Sequence, residues 1–145
     1  MDKFIAKLKG RNEVPPVNTD AFGVAKFIAN KECTKIKFQL EVEDIRNFVQ
    51  AHIHFGARDE NGPVIVFLFG ANVMTLAEQE GITTRRGKIT GVITDQDIEN
   101  NNVGIRDVGD LLKFMRKELT YVNAHTEQNP DGEIRGQIIP LDRRY

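Results

Sequence analysis

TKIKFQLEVEDIRNFVQAHIHFG, residues 34–56, is the stretch whose reading decides the fold. In its first half Ile36, Phe38, Leu40 and Val42 alternate with Lys35, Lys37, Gln39, Glu41 and Glu43. A period of two marks a strand with one face buried and one polar. The second half repeats it, with Ala51, Ile53 and Phe55 against Gln50, His52 and His54. Two strands are therefore expected, at about 34–43 and about 48–56.

The flanks carry the same signal. Phe4, Ala6 and Leu8 set a strand at about 3–9, and FGVAKFIAN another at about 22–30, joined to the next by a hairpin turn at Lys31–Glu32. Between them, the two prolines of NEVPPV (12–17) forbid helix and favour an extended edge or a bend. ARDENG (57–62) reads as a turn, and PVIVFLF (63–69) as a strand apolar on both faces, which must be covered on both sides. Residues 71–86 read as a loop with a short helix or strand, followed by a strand at about 87–95.

One helix is expected at about 107–118, with Asp107 as N-cap, Asp110 in the first turn, and Val108, Leu111, Leu112, Met115 and Leu119 on one apolar stripe. The stripe would cover the doubly apolar strand or seal one end of the fold; an oligomer interface is the alternative use for both. Strands at about 120–126 and 133–140 complete the count. The expectation is a mainly β chain: a Greek-key β-sandwich or barrel of about eight antiparallel strands, one domain over residues 1–145.

Composition removes several classes of function. The net charge of -1 leaves no polycationic surface, so nucleic acid is not expected as a partner. MDKFIAKLKG lacks the apolar run of a signal peptide and no stretch is long enough to span a membrane. The expectation is a soluble cytoplasmic chain, or a secreted one if a leader has been removed. Cys33 is the one cysteine, read as a small packing residue on a strand near a turn; no internal disulfide can form. The chain contains no serine, which excludes a serine triad, and no Gly-rich phosphate loop or paired-carboxylate motif stands out.

Chemistry concentrates where the histidines are. All three lie in QAHIHFG (50–56) and YVNAHTEQNPDGEIRGQI (121–138). His52 and His54 share the outward face of their strand, with roots about 6.5–7 Å apart, close enough to reach one ion. In the last hairpin, keeping apolar opposite apolar sets Val122 against Ile138, Ala124 against Gly136 and Thr126 against Ile134. That register places His125 across from Arg135 and Asn123 across from Gln137. A glycine facing a small alanine would let something pack close to the sheet there.

EVPPV, AHIHFG with NGPV, and YVNAHT with NPDGEIRGQI together resemble the motif set of the CHRD domain, in the same order from about Phe4 to Ile139. The resemblance implies a β-sandwich that serves as an interaction module supporting growth-factor binding in animal proteins; for stand-alone microbial members it implies little about function. The H-x-H strand is also similar to the copper strand of Cu/Zn superoxide dismutase. That dinuclear site needs more histidines, a zinc aspartate and a disulfide, so dismutase activity is not expected.

Two readings of the cluster stay open. His52, His54 and His125 form a candidate mononuclear zinc or copper site with an open position for metal-dependent chemistry. Arg135 beside His125 argues against it, while Glu133 would offset that charge. Alternatively the histidines, Arg135, Glu13, Asn123 and Glu133 make a hydrogen-bonded polar network on the surface that pins the N-terminal segment to the last hairpin. The expected function is a non-catalytic binding or structural module, with a homo-oligomer or protein partner as the class of partner.

Overall fold

The two strands expected over residues 34–56 are one. In the computed structural model, which describes residues 2–70 and 82–141, β3 runs unbroken over Ile36–Phe55. Asp44 and Asn47 take φ of 52° and 56°, so the chain bends there and the ladder slips without ending. The first half of β3 pairs with β2 (Phe22–Ala29) and β5 (Ile82–Ile93); the second half pairs with β4 (Val64–Phe69) and β6 (Thr120–Thr126).

With β1 (Lys3–Lys9), β7 (Ile134–Gln137) and β8 (Ile139–Pro140) there are eight strands among the described residues. Neighbours run β2–β1–β7–β6–β3, and β3 returns to β2, which closes a five-stranded antiparallel barrel. Closure removes the free edges those strands would otherwise expose. β4 and β5 extend the wall from β3, and β8 continues β7 along β1. The barrel is filled by the apolar side of each alternation: Phe4, Leu8, Phe27, Leu40, Ile53, Val122 and Ile134 are each at most 1% exposed.

The helix forms as its cap dictates. In α1 (Val108–Arg116), Asp107 accepts a 2.7 Å hydrogen bond from the Asp110 amide. Val108, Leu111, Leu112 and Met115 are fully buried, so the stripe is used inside the chain. Leu119 lies beyond the helix end. Arg116 binds Asp2, just before β1, and the helix packs beside β8, sealing the end of the barrel where β1 begins. It does not lie over β4, whose Phe67 and Phe69 instead pack on His52 and Phe48.

Three further expectations are corrected. The turn after β2 is wider than Lys31–Glu32: it spans residues 30–35, closed by Asn30 N–H to the Lys35 carbonyl, and it contains Cys33 at φ 60°. The strand at about 87–95 begins earlier, at Ile82; residues 71–81 of the stretch read as a loop lie outside the described residues. The last hairpin is two residues out of the expected register, pairing Val122 with Gly136 and Ala124 with Ile134. A two-residue slip keeps every side chain on its face, so alternation alone cannot detect it.

Gly136 does admit a close neighbour. A Cβ built there would lie 2.2 Å from the Lys7 carbonyl oxygen, so the backbones of β1 and β7 meet where a side chain is missing. Gly136→Ala is expected to lower stability by about 2 kcal/mol or more, since a backbone neighbour cannot rotate away. Urea denaturation of the two proteins checks this; equal midpoints would refute it.

Candidate functional site

The pleat that sends Ala51, Ile53, Val122 and Ala124 into the barrel sends His52, His54, Asn123 and His125 to the opposite face. That face was expected to meet solvent. It is buried: His52 is 3% exposed, and His54 and His125 are 7% each. Its cover has several parts. Phe67 of β4 lies edge-on to His52, with ring centres 4.4 Å apart, and Tyr121 stacks on His54 at 4.8 Å with planes 1° apart. The loop at 57–62 and the EVPPV segment close over the rest, joined by Asn61 Nδ2 donating to the Val14 carbonyl at 2.7 Å.

The three imidazoles converge. Ring centres are 4.5 Å apart for His52 and His125, 5.4 Å for His52 and His54, and 5.9 Å for His54 and His125. One nitrogen from each falls within 4.8 Å of the others. An ion about 2.1 Å from each would bring tetrahedral ligands to about 3.4 Å apart, a contraction that modest ring rotation supplies.

The partners of the other nitrogens set the tautomers, because carbonyl oxygens only accept. His54 Nδ1 donates to the Gly62 carbonyl at 2.9 Å, which leaves Nε2 with its lone pair. His52 Nε2 donates to Gln50 Oε1 at 2.9 Å, which leaves Nδ1. Both remaining nitrogens are buried with no partner at hydrogen-bond geometry, though the Asn123 side chain lies near enough to His54 to pull its pKa upward. His125 Nδ1 donates to the Pro130 carbonyl at 2.8 Å, and its Nε2 lies 2.8 Å from the side-chain amide of Asn123. All three rings are held neutral, chiefly by burial: His52 is lowered to about 2, His54 to about 4, and His125 also below the ordinary histidine value.

Asn123 connects this cluster to Glu13. With Nδ1–H given to Pro130, a neutral His125 offers only a lone pair at Nε2, so the Asn123 amide must present its NH2 there. Its oxygen then faces Glu13, which has to supply the proton. Burial raises the Glu13 carboxyl to about 7 against the pull of Arg135. An Asn123 NH2 turned to Glu13 would lower it, and turning that NH2 to His125 removes this pull, so the protonated acid is available near neutral pH.

Arg135 and Glu133 are not where the expected register put them. Arg135 stands opposite Asn123, not His125. Its guanidinium lies 3.4 Å over the Tyr121 ring and donates to Asn61 Oδ1 and to the carbonyls of Ala57 and Glu60. It lowers His54 less than burial or His125 does, and it does not stand beside His125 as the objection to a metal ion supposed. Glu133 accepts from Thr19, Thr126, Gln128 and Asn129 at 2.7–3.0 Å. Burial alone would raise its carboxyl, but these four bonds outweigh burial and hold it below the usual range. It ties the 18–20 segment to the last hairpin and is not free to serve as a ligand.

Sequence reading missed the Gly62 and Pro130 carbonyls, Gln50 and Tyr121 as parts of the site. Gly62–Pro63 and Asn129–Pro130–Asp131–Gly132 were legible as turns, but a turn signal does not say which carbonyl will point inward.

The chain matches the CHRD domain over residues 4–138, and it belongs to that family. No curated protein sequence matches it. No helix among the described residues is long and apolar enough to cross a membrane.

The Glu13 carboxyl gives this network a pH dependence with a definite sign. Its folded pKa, about 7, lies above the unfolded 4.5. Its contribution is therefore complete below pH 4.5 and is lost as pH rises through about 7. Glu13→Gln keeps an uncharged side chain at every pH. Its stability relative to wild type should rise by on the order of 2–3 kcal/mol between pH 5 and pH 8. Chemical denaturation across that range measures it, and parallel pH curves would show that Glu13 is ionised in the fold.

Proposed function

We propose that this CHRD-family chain is a binding module that holds one transition-metal ion, copper or zinc, on His52 Nδ1, His54 Nε2 and His125 Nε2. The observation that carries the reading is the pairing of each imidazole. One nitrogen of each is committed to an oxygen behind it. The other keeps a lone pair, unpartnered on His52 and His54 and on His125 held by the Asn123 amide, which an ion would displace. Histidines that ligate metals are held in this way, with the distal N–H fixed on a carbonyl or carboxylate. Two lone pairs buried without a partner are costly in a finished structure, and an ion supplies what they lack.

The ligand set is neutral, and no carboxylate joins it among the described residues. The cost of burying an ion grows steeply with its charge, so Cu(I) fits this pocket at least as well as Zn(II). Near-complete burial of all three rings favours binding over turnover. The competing reading, a metal-free polar network, is favoured by the chain from Glu13 through Asn123 to His125.

The test is metal analysis of untagged protein, followed by titration of the stripped chain with Zn(II) and with Cu(I) under reducing conditions. One ion per chain is expected, lost in His52→Ala, His54→Ala and His125→Ala. Free ion at a hundredfold excess over Kd should add about 2.7 kcal/mol of stability to the wild type alone. If neither metal binds stoichiometrically while the three variants are strongly destabilised, the polar network is the correct reading.

A further inference from the structure

The polar face that holds the histidines continues across the sheet and ends in a cationic cleft. Lys9 pairs with Arg135 and Ile5 with Ile139, so Lys7 and Lys9 lie beside Gln137 and Arg135 on the outward side of β1 and β7. Two hollows of about 270 and 260 Å³ adjoin there, and they share Arg11, Asn12, Arg58 and Gln137 as walls. Lys7 and Lys9 line one, and Arg135 lines the other. Against these five cations the walls carry only two carboxylates, Glu13 and Asp59. In a chain of net charge -1 this is a local concentration.

Exposed lysines alone would be an ordinary solvated face, but Arg135 makes this one different. It is 1% exposed, and its guanidinium contacts only neutral oxygens and the Tyr121 ring. Among the described residues no carboxylate pairs with it. Glu13 feels its charge only from beyond ion-pair distance, and a buried cation with no contacting carboxylate is costly, so an anion in the adjoining hollow would offset that cost. Arg11 and Arg58 are exposed, and Arg58 has only a loose 3.7 Å pairing with Glu118. Guanidinium forks match phosphate oxygens two at a time.

We propose that this cleft binds a small phosphate monoester, its dianion held by Arg11 and Arg58 over the charge of Arg135, with Lys7 and Lys9 flanking the second hollow. The volumes suit a ligand of sugar-phosphate size. The site is separate from the histidine cluster and does not require a metal.

The test is a titration of the full chain with inorganic phosphate and with glycerol phosphate, followed by amide NMR, with acetate as the monoanion control. Saturable binding in the millimolar range is expected, with shifts confined to Arg11, Arg58, Gln137 and their neighbours. Arg11→Ala/Arg58→Ala, with an unchanged melting temperature, should weaken binding roughly tenfold or more. Arg85→Ala/Lys88→Ala on β5 should leave it unchanged. Non-saturating shifts, equal weakening in both double variants, or acetate binding as well as phosphate would overturn the proposal.

Discussion

A single strand, β3, is hydrogen-bonded to β2, β5, β4 and β6, and the rest of the molecule depends on those four ladders. Twenty residues is long for a strand, and a straight one could not belong to both halves of a closed barrel. The bend at Asp44 and Asn47 resolves this. It turns the second half toward β6 while the first stays on β2, so one strand serves two walls. Because side chains alternate, the ladder that sends Ala51 and Ile53 inward must send His52 and His54 outward together.

The outward side is not a surface. The protein has a second buried layer, built from polar groups and roofed by loops, outside the apolar barrel. Such a layer is stable only when its hydrogen bonds are met. Most are: Glu133 accepts four, Arg135 donates to three oxygens, and Gln137 donates to the Gly56 and Glu118 carbonyls. The exceptions fall on His52 and His54, at the centre of the cluster, and on Glu13, Thr120 and Gln137 around it. The unmet groups at the centre are the lone pairs of His52 and His54, which face the third ring, His125, and that is why we read an ion there.

What could be read from the chain was what alternation and capping dictate. The extent of β1 and β6, the Asp107 cap, the helix stripe and the facing of His52 and His54 all follow from residues close in sequence. Three things did not. Continuity of β3 rests on positive φ at an Asp and an Asn, residues that end strands as readily as they bend them. The hairpin register differs by an even number, to which the apolar pattern is blind. Burial of the histidines depends on the 57–62 loop and EVPPV, segments that read only as turns and bends. Each miss concerns contacts between segments far apart in the chain.

Two of the three histidines are oriented by main-chain atoms, Gly62 O and Pro130 O. Every residue type carries that oxygen, so no side-chain replacement in either turn can delete the acceptor; only a change in the path of the turn can move it. The limits on these turns are of backbone shape: a Cβ at Gly62 would lie 1.7 Å from the Phe55 carbonyl oxygen, and Gly132 holds φ 121°. His52 has no such protection. Its orientation rests on the side chain of Gln50, and a single substitution there would release it. The cluster is robust on two sides and exposed to mutation on the third.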